Sequence, residues 1–486
     1  MTEPSPKKRG DDTQKALRGS LWTLGGYGGS QILRLISNLV LARLLFPEAF
    51  GLMALVNVFM QGLQMFSDIG IGPSIIQSKS GEHPEFLRAA WTIQVIRGFL
   101  LWVLTLLVAY PVALFFAAGN PDAMQLATLL PVTGLTALLG GFTSTSVFTL
   151  NRKLAMARMT LLDLIPQLIS LGVMIGAAYL HRSVWALVWG GLVYSVVRLY
   201  LSHRWNEGPR DRFGWDASSR RELLKFGRWI FLSTIVSFLA THLDRILLGR
   251  MLTMAELGLY SIGMTFARVA INTASRLGST ILFPLLSRRQ DDPIRLIRSC
   301  LKARRAILWA SGAVCVAFAI GAPFFFDTLY DERYQQAGII SRWLALYTWA
   351  FVLMASMDRI PLALGKPRRL FEANVITTVA MLAAVAGYRL FALPGFIIGM
   401  SLSSVLSHIY LVWSLPSGRM EMMGQSVFAT LGFALYAVPV MGLLNTLQPR
   451  LPTWGYGSCV FGAALLPCAL AAWQVRAQVQ KKAETT

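Results

Sequence analysis

Charge is scarce in this chain of 486 residues, and negative charge is the scarcest: 14% of residues are charged, with 24 acids against 45 bases. Because 55% of the residues are hydrophobic, a water-soluble fold of this size would lack the polar surface it needs. Only four cysteines occur, and Cys300, Cys315, Cys459 and Cys468 show no paired spacing. Cys300 reads as part of a polar cytoplasmic loop and the other three as part of apolar runs, so neither disulfides nor a metal site is indicated. The phosphate-cradling pattern G-x-x-x-x-G-K-[ST] is missing, since Gly365-Lys366 runs into Pro367, which excludes an ATP motor of that type. There is no H-E-x-x-H, no G-x-S-x-G, and no long outer connection with clustered carboxylates or histidines. Asp291-Asp292 sits in a basic stretch and reads as a solvated turn. An enzyme is not expected, nor any metal or other cofactor. The first residues are polar and charged, without a short apolar core and a small-residue cleavage site, so no removable leader is expected.

What fills the chain instead is long apolar segments. About fourteen follow one another: Leu17–Leu45, Phe50–Ile69, Trp91–Phe116, Met124–Phe148, Met159–Leu180, Val184–His203, Leu223–Gly249, Leu257–Phe283, Ile307–Phe326, Ala337–Leu364, Leu370–Phe391, Gly395–Leu415, Val427–Leu447 and Trp454–Trp473. Each is near or above the ~20 residues that a helix needs to cross a bilayer. Runs of this length without alternation are helical rather than barrel strands. The expected fold class is an all-α polytopic membrane protein with about 14 transmembrane helices.

The bases fall almost entirely on alternate sides of these segments. One side carries Lys7-Lys8-Arg9, Arg152-Lys153, Arg220-Arg221-Lys225, Arg288-Arg289 with Arg304-Arg305, Lys366-Arg368-Arg369 and Lys481-Lys482. The other holds single residues: Arg43, Arg182, Arg250, Arg333, Arg389 and Arg450. Cationic loops resist translocation, so both termini are expected in the cytoplasm. The net charge of +21 therefore reads as topology signal and contact with anionic lipid headgroups, and not as nucleic-acid binding.

The longest polar connections are about Arg204–Glu222 and Ser287–Arg305. The expected organisation is a six-helix lobe over 1–205, a cytoplasmic linker over 206–222, a second six-helix lobe over 223–415, and two extra helices with a tail over 416–486. An internal echo supports the division. Leu41-Ala42-Arg43-Leu44-Leu45, leading to Gly51-Leu52 and Phe59, resembles Leu248-Gly249-Arg250-Met251-Leu252, leading to Gly258-Leu259 and Phe266, at a constant offset of about 207 residues. Repeats of this parallel kind place a substrate path between the halves and alternate access by rocking them.

Ionisable side chains inside spans point to function, because one at mid-bilayer costs ~2.5–3.5 kcal/mol or more. The first span holds Arg34 with Gln31 and Asn38 at helical spacing, joined by Tyr27 and Ser37. The second carries Asn57, Gln61, Gln64 and Asp68 at i, i+4, i+7 and i+11, an unbroken polar stripe on one face. Span seven shows Ser237, Thr241 and Asp244 with Arg245 adjacent, and span eight shows Thr265, Arg268, Asn272 and Arg276. Four such stripes are most easily buried by facing one another around a hydrated cavity. The bland alternative is helix-to-helix hydrogen bonding at ~0.6 kcal/mol each, with Asp244 and Arg245 a structural pair. Arg97, Arg198 and Arg359 read as snorkelling from cytoplasmic helix ends, Arg342 likewise from an outer end, and His242 and His408 as packing residues.

Leu39-Val40-Leu41-Ala42-Arg43-Leu44-Leu45-Phe46-Pro47-Glu48-Ala49-Phe50-Gly51-Leu52, with Phe66-Ser67-Asp68-Ile69-Gly70-Ile71-Gly72, resembles the polysaccharide transporter family, the Wzx-type flippases and exopolysaccharide exporters. Asp244-Arg245, Gly249-Arg250 and Glu256-Leu257-Gly258-Leu259-Tyr260 are similar to that family's second-half signature. The resemblance implies two six-helix lobes around a cationic cavity lined by spans one, two, seven and eight. It implies a bacterial cytoplasmic-membrane location, an undecaprenyl-diphosphate-linked oligosaccharide as cargo, membrane lipids around it, and a polysaccharide polymerase and chain-length regulator as partners. In peptidoglycan-precursor relatives the last two spans form a groove for the lipid tail. Two other functions stay open at this point: a drug or cation extruder of the same superfamily, and a membrane enzyme acting on lipid-linked sugars. An extruder would want cavity carboxylates where this chain has arginines, and an enzyme would want a long outer loop.

Overall fold

The computed structural model describes residues 25–277 and 293–483, apart from residues 27, 69, 79, 154, 206–207, 416 and 449. Within these ranges the side chains of residues 217–233, 273–274, 276–277, 293–299, 363 and 472–483 stay outside the description. Among the described residues every regular element is a helix.

The first part of the chain forms α1 (28–44), α2 (Pro47–Phe66), α3 (Ile71–Gln77), α4 (Pro84–Ala117), α5 (Leu126–Phe142), α6 (Ser146–Arg152), α7 (Met156–Leu180) and α8 (Trp185–Arg204). The second part forms α9 (Ala217–Met251), α10 (Met254–Leu277), α11 (Pro293–Leu329), α12 (Gln335–Ala355), α13 (Arg359–Ala363), α14 (Pro367–Leu382), α15 (Ala384–Trp413), α16 (Arg419–Leu447) and α17 (Thr453–Ala483). Ten helices among the described residues are long and apolar enough to cross a membrane. The other four expected spans, the first, seventh, eighth and eleventh, are also helical where described, but fall short of that test. Residues 17–24 of the first and 278–283 of the eighth lie outside the described residues, as do Lys7-Lys8-Arg9, Arg288-Arg289 and Asp291-Asp292.

Local chemistry explains the breaks. Pro47 and Pro84 open α2 and α4 at the first turn, where a missing N–H costs nothing, and Glu48 and Glu85 face the positive helix end. Inside α15 the backbone leaves the helix at Phe391 and Ala392, and Ala392 takes a positive φ of 52°. This is the turn expected between the eleventh and twelfth spans, and there a Cβ on Gly387 would come within 2.4 Å of the Gly395 carbonyl oxygen.

The chain divides into two compact units. The first comprises residues up to Phe238 together with Leu248–Gly258, and the second comprises Leu239–Leu247 and the residues from Leu259 onward. In the first unit the two copies of the internal echo touch. A Cβ on Gly51 would fall 2.0 Å from the Met254 carbonyl oxygen, and one on Gly258 would fall 1.9 Å from that of Pro47. The contact is reciprocal at the same offset, so α2 and α10 cross backbone against backbone where each begins. Small residues at a helix crossing gain close van der Waals contact that no larger side chain permits. Gly98 and Gly141 do the same for α4 and α5.

Three expectations are corrected, two in the second unit and one in the first. Cys300 lies not in a loop but buried within α11, which begins at Pro293 and absorbs much of the expected loop Ser287–Arg305. Arg304, expected among solvated cytoplasmic bases, is completely buried. Its Nε donates to Ser356 Oγ at 2.9 Å, Nη1 to the Met422 carbonyl at 2.9 Å, and Nη2 to Ser426 Oγ at 2.8 Å. It thereby ties α11 to the end of α12 and to α16. His408 is buried beside it with Nε2 at 2.9 Å from Ser426 Oγ, in keeping with a packing role. The third correction concerns the expected connection Arg204–Glu222, which is shorter, because α9 is already helical at Ala217.

Candidate functional site

The α2 stripe keeps its expected geometry. Asn57, Gln61, Gln64 and Asp68 are all exposed, whereas Leu55, Val56, Val58, Met60 and Gly62 of the same helix are buried. Gln61, Gln64 and Asp68 line a cavity of about 700 Å³ inside the first unit. Its other walls come from α3, α4, α5, α6 and α8, and they bring in two guanidinium groups, Arg97 and Arg198.

Arg97 is not a snorkelling residue. Its Nε donates to Ser67 Oγ at 2.8 Å and its Nη2 to the Gln64 carbonyl at 2.7 Å. The last turn of α2 has no basic residue of its own, so a cation from α4 serves its orphan carbonyls and negative end. Three residues earlier on α4, Gln94 Nε2 donates to the Gly140, Gly141 and Thr143 carbonyls, at 3.2, 3.1 and 2.8 Å, where α5 ends. Asp68 Oδ1 accepts from the Gly70 amide at 2.9 Å, in the left-handed turn between α2 and α3.

Arg198 is also reassigned from snorkelling to the cavity. Its Nη2 lies 3.3 Å from Asp163 Oδ1 on α7, while its buried Nε has no hydrogen-bond partner. Tyr194, one turn earlier on α8, also lines the cavity, within electrostatic reach of Arg198, Asp163 and Arg34. Arg34 itself is exposed on α1, and Gln31 and Asn38 are partly buried there. One turn before Arg34, Ser30 Oγ donates to Gln167 Oε1 at 2.8 Å and fixes α1 on α7. Arg97, Arg198, Gln94 and Tyr194 line the cavity although they lie outside the four polar stripes. A polar pair at i, i+3 on α4 and another at i, i+4 on α8, each within an apolar run, were the available signal.

The second unit gathers the other group. Asp244 is buried, and its Oδ2 accepts from the Tyr260 hydroxyl at 2.7 Å while Oδ1 has no partner. Arg245, buried next to it, has Nη1 at 3.5 Å from His242 Nδ1. Arg268 is partly buried and within electrostatic reach of both Asp244 and Arg245. Thr241 and Asn272 are exposed and Ser237 is partly buried; Arg276 lies on α10, with its side chain outside the described residues. Among the described residues no group of three or more His, Cys, Asp or Glu could hold a metal. Two guanidinium groups against one lining carboxylate, Asp68, leave the first-unit cavity with an excess of positive charge among amides and hydroxyls, which suits an anionic, hydroxyl-rich ligand.

Residues 40–338 match the model of the family described as polysaccharide biosynthesis protein. Over 398 residues the chain is 21% identical to the lipopolysaccharide biosynthesis protein WzxC of Escherichia coli (strain K12), covering 82% of this chain and 80% of that protein. It is 20% identical over 311 residues to the teichuronic acid biosynthesis protein TuaB of Bacillus subtilis (strain 168), covering 62% of each. Among solved structures it resembles the lipid II flippase MurJ in an inward closed conformation, with a TM-score of 0.68, 13% identity, and 95% of this chain and 99% of that chain covered. It also resembles an inward-facing multidrug resistance MATE transporter, with a TM-score of 0.62, 15% identity, and 81% and 95% covered. A multi-pass helical chain that matches this model over more than half its length belongs to the polysaccharide biosynthesis protein family.

Proposed function

We propose that the chain is a flippase carrying an undecaprenyl-diphosphate-linked oligosaccharide from the cytoplasmic to the outer leaflet of the bacterial cytoplasmic membrane, for assembly of a surface polysaccharide. The observation that carries this reading is the first-unit cavity. Apolar helices surround a partly open space lined by Arg97, Arg198, Gln61, Gln64 and Tyr194, polar groups within otherwise apolar walls. A lipid-linked sugar has a headgroup that cannot cross hydrocarbon unaided and a tail that can stay in lipid. Guanidinium groups hold a diphosphate by paired, charge-assisted hydrogen bonds, and neutral amides and hydroxyls accept sugar hydroxyls without demanding one sugar.

In this reading the fourteen helices run with both termini in the cytoplasm, in two six-helix lobes over 1–205 and 223–415, joined by 206–222 and followed by two extra helices over 416–486. Arg34, Arg268 and Arg276 meet the diphosphate, together with the stripes of Gln31, Asn38, Asn57, Gln61, Gln64, Asp68, Ser237, Thr241, Asp244, Arg245 and Asn272. Membrane lipid surrounds the tail, and a polymerase with its chain-length regulator consumes the product. Without an ATP-binding loop, transport draws on a membrane gradient or on that downstream consumption. The test is a deletion strain, which should lose its surface polysaccharide and trap the lipid-linked repeat unit on the cytoplasmic face. Purified protein in liposomes should move a lipid-diphosphate sugar between leaflets without ATP. A deletion strain that keeps its polysaccharide but becomes sensitive to cationic dyes would instead mark a drug extruder.

A further inference from the structure

The connection between α8 and α9 is fastened to the wall of the first-unit cavity. Residues 208–216 run without helix, yet they are anchored at three successive points. The Asp211 carboxylate, only 2% exposed, accepts from Ser144 Oγ at 2.5 Å, from Thr145 Oγ1 at 2.7 Å and from the Thr145 amide at 3.2 Å. The Phe213 ring lies 4.9 Å from that of Trp91 on α4, and the Gly214 amide donates to Thr92 Oγ1 at 3.0 Å. His203 Nδ1, at the end of α8, sits 3.7 Å from Asp211 Oδ2.

The turn that Asp211 grips is the break between α5 and α6. Thr143 and Ser144 in that turn, and Val147 and Phe148 on α6, all line the cavity. Gln94 holds the same turn by the Thr143 carbonyl, so the wall is pinned from two sides. Only Trp215 and Asp216 separate the last anchor, Gly214, from Ala217, where α9 begins. That stretch is short, and a residue spans at most ~3.6 Å. From Ala217 the helix α9 continues unbroken to Asp244 and Arg245, a stiff rod of ~1.5 Å per residue.

We propose that Asp211 is a positioning residue for transport: it holds the Ser144–Thr145 turn, and through α9 it couples the Asp244–Arg245 end of that helix to the width of the first-unit cavity. A shift of the first turn of α9 is passed to Gly214 and Asp211, and so to the wall that carries Thr143, Ser144 and Phe148. The consequence for export rests on the flippase reading; the accessibility of the cavity does not.

The test uses the full-length protein with Cys459→Ser, Cys468→Ser and a reporter Ser195→Cys, since Ser195 lines the cavity and Cys300 and Cys315 are buried. Membrane vesicles exposing the cytoplasmic face are labelled with a fluorescent maleimide. Asp211→Ala strands several buried donors and should raise the labelling rate about tenfold at matched protein level. Asp211→Asn keeps one acceptor oxygen, so it should fall between and serve where the alanine variant does not accumulate. Four glycines inserted between Gly214 and Trp215 keep every anchor but add slack; labelling should stay at the parent rate while polysaccharide export drops at least about tenfold. A passive strap would tolerate that insertion, because lengthening a loop costs little. Unchanged labelling in both Asp211 variants overturns the positioning role, and parental export by the insertion variant overturns the coupling. A deletion strain that still exports would sink the flippase reading alone and leave the labelling result standing.

Discussion

At the scale of single residues, burial separates arginines that hold the fold from arginines that face the cavity. Arg304 is sealed from solvent, and its acceptors are two hydroxyls, a carbonyl and, at 3.5 Å, the Gln425 Oε1; the hydroxyls have local bonds of their own, Ser356 to the Leu353 carbonyl and Ser426 to the Met422 carbonyl. Removing the charge therefore strands little, whereas removing the bulk leaves a hole. Arg304→Met should change the thermal midpoint of the detergent-purified protein only slightly, while Arg304→Ala should cost ~3–5 kcal/mol and lower the midpoint clearly. Equal losses in the two would show that the charge matters more than the volume. For Arg97, which lines the cavity, and Arg34, which the flippase reading sets against the diphosphate, we expect the reverse pattern. Arg97→Ala and Arg34→Ala should abolish polysaccharide export in a complementation assay at near-normal membrane levels, and the lysine variants should restore only part, since lysine keeps the charge but loses the planar fork. Normal export by Arg34→Ala would make that residue structural and remove it from the substrate path.

At the scale of helices, glycine decides which segments may touch. Gly51→Ala or Gly258→Ala would drive a methyl group to about 2 Å from a carbonyl oxygen across the α2–α10 crossing. Neither backbone can yield without parting the helices, so both variants should fail to accumulate in membranes. Gly172 on α7 has nothing within 4 Å of where a Cβ would stand. Gly172→Ala should accumulate normally and gain up to ~1 kcal/mol in thermal stability from the lower entropy of the unfolded chain. Immunoblots of membrane fractions compare the three. The repeat was legible in the sequence as an offset of about 207 residues, but that its two copies rest on each other was not. Sequence similarity reports common local structure and carries no information on which surfaces meet.

At the scale of the whole molecule, the basic clusters make a testable map. Reporter fusions after Lys153 and at the C-terminus should report cytoplasm, and fusions near Asp122, Asp331 and Leu451 the outer side. A cytoplasmic signal at Asp331 would mean an odd number of miscounted spans before it. Apolar run length located helices well, because hydrocarbon thickness and backbone hydrogen bonding leave a long apolar run no other stable form. The turn at Phe391–Ala392 shows the rule at work: the two expected spans part there, although a helix cut short at Leu382 and one run together through Ala392 obscure it.

By itself the sequence determined that this chain is helical and made for a membrane, that two short segments echo each other, and that α2 bears one polar face. Each of these follows from neighbours along the chain, through helical period, run length and turn chemistry. Tertiary structure decided the rest. Arg97 and Arg198 stand at spacings that suit a snorkelling side chain equally well, and only the approach of α2, α7 and α8 turns them toward a cavity. Arg304 belonged by sequence to a solvated cluster and by packing to the interior, held by groups from Ser356 to Ser426. Asp211, one acid in a basic connection, acquired its role from a turn 66 residues earlier. A charged side chain gains meaning from the partners within hydrogen-bonding distance, and those partners come from helices far apart in sequence, which local pattern cannot bring together.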